Sequence, residues 1–429
     1  MQAFGRRALV GVAGAAIGAF APPATAQPQT AGTPQPAQAP ELRLGAIFPL
    51  SGPSAPFGDE CHRGLELAVE ARNAAGGVFG RTIRLVRADA PDETAAANEA
   101  RRLTQGNERV VAIFGSFGTA IALPASQVAE LAGVPYFELS AIGDAVMERN
   151  FRWVFRAAPR ATDFAAVALD GVQILANAIG RHPSSLRLTI AQEDALGANS
   201  IAAAQAALIE ARGLAVIQQA GYAPRPGDLN GLVQRLRGVE AEVVLHSGAP
   251  GDEALLFRAM REANWKPLML IGTAGGYGMA ETARSIGDAL CGTMSADFTP
   301  FAVNEAVAPG ARAFAEAYLR RYGAEPRSGH GLASFSGAQV FLDALHRAGS
   351  SDRDRIRAAV LATDMAEGST ACGWGARFDE RGQNLRARPM LCQWQPAAAT
   401  SPGTPPGLRQ VAIAPAEAAV AEALPRLGM

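Results

Sequence analysis

Short apolar runs alternate along the chain with longer segments in which apolar residues recur at helical spacing. The runs LRLGAIF (42–48), TIRLVRADA (82–90), RVVAIFG (109–115) and VPYFELS (134–140) read as strands. Between them the pattern predicts helices over 59–74, 92–105 and 120–132. Gly76-Gly77 stops the first and Gly133 the third, because glycine takes the left-handed conformation that closes a helix. After FRWVFRAAP (151–159) the cycle restarts. Helices over 162–180, 198–212, 228–237 and 252–264 alternate with strands LRLTIAQ (186–192), AVIQQAG (215–221), EVVLHSG (242–248) and PLMLIG (267–272). Helices over 308–322, 330–348 and 352–362 and a final hairpin follow. Apolar strands that alternate with helices indicate parallel sheets covered on both faces. Two such series in tandem predict an α/β chain of two Rossmann-like lobes.

At 429 residues the chain exceeds one ordinary core, which agrees with two lobes. A net charge of -1 leaves no electrostatic footprint for nucleic acid or anionic membrane. The first residues follow an export pattern. Basic MQAFGRR precedes apolar ALVGVAGAAIGAF, which is too short to span a bilayer, and ATA ends at Ala26 as a cleavage motif. Cleavage after Ala26 would deliver the protein to the periplasm, and Arg6-Arg7 suits either Sec or twin-arginine export. No cysteine stands directly after the apolar segment, so no lipid anchor is expected. Residues 27–40 form a Pro/Gln/Ala linker, and 396–408 repeat its composition. The folded body is therefore expected over 41–395, with 396–429 as linker and tail.

Four cysteines fit an oxidising compartment. Cys372 and Cys392 flank GWGARFDERGQNLRARPML, a hairpin-like segment that a disulfide could bridge, whereas Cys61 and Cys291 read as buried thiols. No Cys/His spacing suits zinc, and no cofactor is expected. The sequence lacks G-x-S-x-G and a P-loop, and GTAGGYG (272–278) departs from G-x-G-x-x-G. The histidines at 62, 182, 246, 330 and 346 are scattered. A binding protein is expected rather than an enzyme.

In open α/β sheets, ligands bind beyond the carboxyl ends of strands, beside helix N-termini. Small polar residues concentrate at those positions here: 49–57, 115–119, 140–143, 192–197, 246–251 and 273–278. In IFGSFGTAIALPAS, Gly115-Ser116-Phe117-Gly118-Thr119 links a strand to a helix. Backbone N–H groups, the helix dipole and two hydroxyls would converge there, which suits a carboxylate as well as an ordinary helix cap.

The stretch LGAIFPLSGPSAPFGDECHRGLELAVEARNAAGGVFGRTIRLVRADAPDETAAANEARRL resembles a known family, as does GSFGTAIALPASQVAELAGVPYFELSA. The family is that of the type I periplasmic solute-binding proteins of ABC importers, in its branched-chain amino acid-binding (Leu/Ile/Val) branch. The resemblance spans about 41–395 and implies two lobes joined by three crossovers. These are expected near Ala157–Pro159, Cys291–Ser295 and Gly373–Phe378, giving lobe 1 residues 41–157 plus 292–373 and lobe 2 residues 158–291 plus 374–395.

The resemblance also assigns a cleft. Ser51 and Phe57 belong to the loop that lines it first, with Phe57 over the ligand. Ser116 and Thr119, with Phe117 between them, match the loop that holds the ligand carboxylate. Ser140 and Ile142 match the loop that serves the α-amino group, and Leu196 falls where amino acid binders carry Tyr before Gly. His246 takes a cleft position in the second lobe, and Ala274 and Gly275 fall where an acidic residue pairs with the ammonium. Ile142 lacks a hydroxyl and Ala274-Gly275 lack a carboxylate, and a buried ammonium without an anion is costly. The departures favour a carboxylate-bearing organic or aromatic acid over an α-amino acid, with Glu193, Asp194 and Asp252 as candidates for the missing charge. The family implies a monomer that closes by its hinge and serves a membrane permease and its ATPase. A sensor on the same fold would signal to a membrane partner instead.

Overall fold

The computed structural model describes residues 41–224, 227–273, 275–397 and 407–428. The expected export signal and first linker lie outside them. The chain opens with β1 (Leu42–Phe48), α1 (Ala55–Ala74), β2 (Ile83–Asp89) and α2 (Glu93–Thr104). Next come β3 (Ala112–Gly115), α3 (Thr119–Ala132), β4 (Tyr136–Glu138) and β5 (Val154–Arg156). These strands form a parallel sheet in the order β2-β1-β3-β4-β5. Interior strand β1 is almost wholly buried, as a strand with helices on both faces must be. The first helix begins earlier than its pattern suggests. Pro56 fits a first helical turn, and the Phe57 and Gly58 N–H groups both donate to Ser54 O, so part of the expected loop is helical.

The second lobe starts with α4 (Ala161–Ala178), β6 (Leu188–Glu193), α5 (Leu196–Ala211), β7 (Val216–Tyr222) and α6 (Asn230–Gly238). It continues with β8 (Val243–Ser247), α7 (Asp252–Glu262), β9 (Met269–Thr273), α8 (Ala280–Ile286) and β10 (Met294–Asp297). Then follow α9 (Ala311–Tyr322), α10 (Gly329–Ala348), α11 (Arg353–Leu361), the short pair β11 (Asp364–Met365) and β12 (Ala376–Arg377), and strands β13 (Met390–Pro396) and β14 (Leu408–Ala414). The second sheet runs β14-β13-β10-β9-β8-β6-β7, with β13 and β14 antiparallel to their neighbours.

The chain first passes between lobes from Arg156 to Ala161. Arg156 is fully buried there. Its Nε donates to Gln383 Oε1 at 2.7 Å and its Nη1 donates to Gly143 O at 2.8 Å, which joins this passage to the last one. Burial lowers its pKa to about 10, leaving the guanidinium charged at neutral pH.

Two boundaries differ from expectation. β10 keeps the chain in the second sheet through Asp297, so the second passage lies beyond Cys291–Ser295; α10 then packs into the first lobe, with Phe341 stacked on Phe137 at 4.4 Å. Phe378 belongs to the first lobe's core, so the last passage also falls later than Gly373–Phe378. The tail is a third difference. β14 pairs with β13 from Leu391↔Ala414 to Pro396↔Leu408, and Leu408, Val411 and Leu427 are buried against the second lobe. The apolar run VAIA in LRQVAIA outweighs the Pro-rich linker before it. Cys372 and Cys392 are free thiols, as are Cys61 and Cys291, so the expected bridge is absent. Cys372 lies beside Thr370 and Ser336, while Cys392 sits within β13. Among the described residues no helix is long and apolar enough to cross a membrane.

Candidate functional site

The carboxyl ends of the parallel strands of both sheets meet around one cavity of about 200 Å³. From the first lobe, Ser54 follows β1, Phe117–Ala120 follow β3, and Ser140 and Ile142 follow β4. From the second, Glu193, Ser247 and Thr273 end β6, β8 and β9, Ala195–Ala198, Gly248–Pro250 and Gly275 follow those strands, and Phe298 follows β10. Beside it the lobes touch, with Asp144 N–H donating to Ser200 Oγ at 3.1 Å. Arg327 pairs with Asp59 of α1 at 3.3 Å and Glu281 of α8 at 3.4 Å.

Six of the expected residues line this cavity: Phe117, Thr119, Ser140, Ile142, Leu196 and Gly275. Thr119 opens α3 after Gly118, whose φ of 86° lets the chain turn sharply from strand to helix. The helix carries no side-chain cap, so the Thr119 and Ala120 N–H groups face the cavity without an acceptor among the described residues. The Thr119 hydroxyl itself accepts from Gly143 N–H at 3.2 Å.

The others stand elsewhere. Ser51 is exposed, and its N–H donates to Asp89 Oδ1 at 3.1 Å. Phe57 is buried and stacks on Phe117 at 4.7 Å, so it backs the cavity wall without lining it. Ser116 is fully buried. Its N–H donates to Glu138 Oε1 at 2.7 Å and its hydroxyl donates to Oε2 at 3.0 Å. Glu138 also accepts from the Ser140 and Ala141 N–H groups and from the Tyr136 hydroxyl. An internal carboxylate thus consumes the Ser116 half of the expected cradle. Ser140 lines the cavity, yet its hydroxyl is bonded behind it to Ser334 Oγ at 3.1 Å and Cys61 Sγ at 3.2 Å.

His246 is buried within β8 and does not reach the cavity. Its Nδ1 lies 2.6 Å from Tyr277 Oη and its Nε2 lies 3.0 Å from Tyr222 Oη. The Tyr222 hydroxyl donates to Asp252 Oδ2 at 2.8 Å, which also accepts from Ala249 N–H at 3.0 Å. Burial lowers the imidazole to about 3, so it is neutral, with Tyr277 donating to Nδ1 and Nε2–H donating to Tyr222. This chain of bonds holds the Ser247–Pro250 wall. Asp252 is therefore engaged away from the cavity. Ala274 lies outside the described residues.

Glu193 is the only ionisable side chain lining the cavity among the described residues. Beneath the rim, buried Glu253 accepts from Gly276 N–H at 2.6 Å and Gly251 N–H at 3.0 Å, tying the loops after β8 and β9 together. Burial raises its carboxyl to about 7. Phe298 was not anticipated. It meets His330 edge-on at 4.8 Å, and the alternation of Met294, Ala296 and Phe298 was the signal that a strand delivers it. Among the described residues no group of His, Cys, Asp and Glu could hold a metal ion. A larger cavity of about 500 Å³, lined by Val307, Trp374, Met390 and Pro415, shares no lining residue with this one.

Two sheets whose carboxyl ends face each other across a small cavity, with the chain passing repeatedly between them, define a bilobed binding protein. Residues 41–396 match the model of the periplasmic binding protein family. The chain belongs to that family. It is 41% identical over 357 residues to Leu/Ile/Val-binding protein homolog 7 of Brucella abortus (strain 2308), covering 83% of this chain and 89% of that protein. Its fold matches the leucine binding protein LivK of Thermotoga maritima with a TM-score of 0.71 at 21% identity, over 86% of this chain and 99% of that one. It also matches a solute binding protein of an ABC transporter from Rhodopseudomonas palustris BisB5, solved with 3,4-dihydroxy benzoic acid, with a TM-score of 0.72 at 18% identity. That match covers 87% of this chain and 96% of the other.

Proposed function

We propose that this chain is the substrate-binding component of an ABC importer and captures a small carboxylate-bearing solute in the cavity between its lobes. The observation that carries this reading is the convergence of strand ends from both sheets on one cavity, where Thr119 and Ala120 leave N–H groups without acceptors. A carboxylate supplies two acceptors and a negative charge at a helix N-terminus, where the dipole favours it. Phe117, Ile142, Leu196, Ile201 and Phe298 suit an apolar body. Contacts to both lobes make the ligand favour the closed form, which a membrane permease with its ATPase then recognises. The leucine binding protein LivK and the neighbour solved with 3,4-dihydroxy benzoic acid frame the choice between amino acid and organic acid. With Ser116 bonded to Glu138, the Thr119 and Ala120 N–H groups carry the cradle. The protein acts as a monomer without catalysis, in the periplasm after cleavage behind Ala26.

The test is a thermal-shift panel of leucine, isoleucine, benzoate, hydroxybenzoates and short dicarboxylates. A ligand at a hundred times its Kd adds about 2.7 kcal/mol of stability. A shift that Thr119→Pro abolishes without unfolding the protein supports the site. No shift across the panel counts against solute capture of this class.

A further inference from the structure

Ser247 presents an unusual problem. Only 2% of it is exposed, its hydroxyl has no hydrogen-bond partner, and it lines the cavity at the end of β8. A buried hydroxyl without a partner is disfavoured. Its neighbours cannot relieve it, because the Tyr277–His246–Tyr222–Asp252 chain is bonded within itself. The N-terminus of α5 enters the same cavity from the same lobe. Its N-cap residue is Ala195, which offers no side-chain cap, and the Leu196, Gly197 and Ala198 N–H groups have no acceptor among the described residues. This helix end faces that of α3 closely: a Cβ placed on Gly197 would lie 3.5 Å from Thr119 Oγ1. Both helix ends and the lone hydroxyl therefore await acceptors from the same small volume.

Resting on the reading of the cavity as a solute site, we infer that the ligand is a hydroxy acid: a carboxylic acid with a hydroxyl at its far end. The carboxylate lies where the ends of α3 and α5 meet. The hydroxyl oxygen lies at the second lobe, at the end of β8, where Ser247 bonds it. An α-amino acid with an aliphatic side chain would place no oxygen at this position and would leave Ser247 unpaired.

The experiment compares ligands that differ by one hydroxyl. Calorimetric titration of the full chain with 4-hydroxybenzoate and benzoate, and with 4-hydroxybutyrate and butyrate, is repeated on Ser247→Ala. The hydroxylated member of at least one pair is expected to bind at least about fivefold more tightly, and Ser247→Ala should erase that advantage while leaving the other member's affinity unchanged. Should Ser247→Ala fold poorly, Ser247→Thr retains the hydroxyl and should retain the preference. Equal affinity within both pairs overturns the inference. So does tight binding of leucine without binding of either hydroxy acid, an outcome that leaves solute capture standing. Failure of every acid and amino acid to bind overturns both readings.

Discussion

Glu253 makes a quantitative claim about stability against pH. It lies in the first turn of α7, where the helix dipole favours an anion, and it accepts backbone N–H bonds from Gly251 and Gly276. Burial outweighs both and lifts its carboxyl from 4.5 to about 7. A carboxyl raised on folding contributes stability that is fully present below its unfolded value and is lost as pH rises through its folded value. Linkage between 4.5 and 7 makes Glu253 stabilising at pH 5 by about 2.5 kcal/mol relative to pH 8, at 1.36 kcal/mol for each tenfold step. Burial likewise raises Glu60 and Asp297 to about 7, so the wild-type slope is steeper than one group explains. Glu253→Gln isolates the term. The variant loses one acceptor and about 1 kcal/mol at low pH, but its stability should fall about 2.5 kcal/mol less between pH 5 and 8 than that of wild type. Urea unfolding at half-unit pH steps measures both curves. Parallel curves would refute the reasoning, because they would mean that Glu253 titrates alike in the folded and unfolded states.

The free thiols predict four alkyl adducts by mass spectrometry after denaturation without reductant; two adducts would restore the Cys372–Cys392 bridge. Ending the chain at Ala397 removes β14 and uncovers the surfaces beneath Leu408, Val411 and Leu427, each worth about 1.5–3 kcal/mol, so the urea midpoint should drop sharply; an unchanged midpoint would make the tail a passive appendage. Glu138→Gln strips the anion that holds Ser116, Ser140 and Ala141 and should cost about 2–4 kcal/mol while weakening ligand binding; full stability with full affinity would show that these loops hold themselves. Phe298→Ala should cost about 3–5 kcal/mol, read by chemical denaturation, because the ring packs against Phe164 and His330; a loss below 1 kcal/mol would mean that the site collapses to fill the gap.

The fold was legible because its signals are local and repeated. Each apolar run recurs with a helix behind it, and glycines such as Gly133 stop helices with φ 63° where the pattern places them. The lobe boundaries were less legible because a passage between lobes has no periodicity of its own. β10 is a four-residue strand after a turn, and its sequence MSAD does not say which sheet it joins. The tail shows the same limit from the other side. LRQVAIA ends in a short apolar run like that of any buried strand, but its partner lies across a Pro-rich linker, and pairing across such a gap depends on a surface that only the folded lobe offers.

The cavity residues divide along a similar line. Position along the chain identified which loops converge, because in a parallel sheet every carboxyl end faces the same way. It could not identify which polar atoms remain free. Ser116 and Ser247 illustrate this. Each is a buried serine at the end of a parallel strand. One is spent on Glu138, a residue 22 positions away whose carboxylate turns back beneath the loop. The other is left alone because Tyr222, His246, Tyr277 and Asp252 satisfy one another. Availability for a ligand is what remains after the protein's own donors and acceptors have paired, and that remainder depends on contacts between distant segments. His246 makes the point most sharply. Its place next to a cleft loop suggested ligand contact, whereas its ring is closed on both sides by tyrosines and serves to hold the wall that Ser247 occupies.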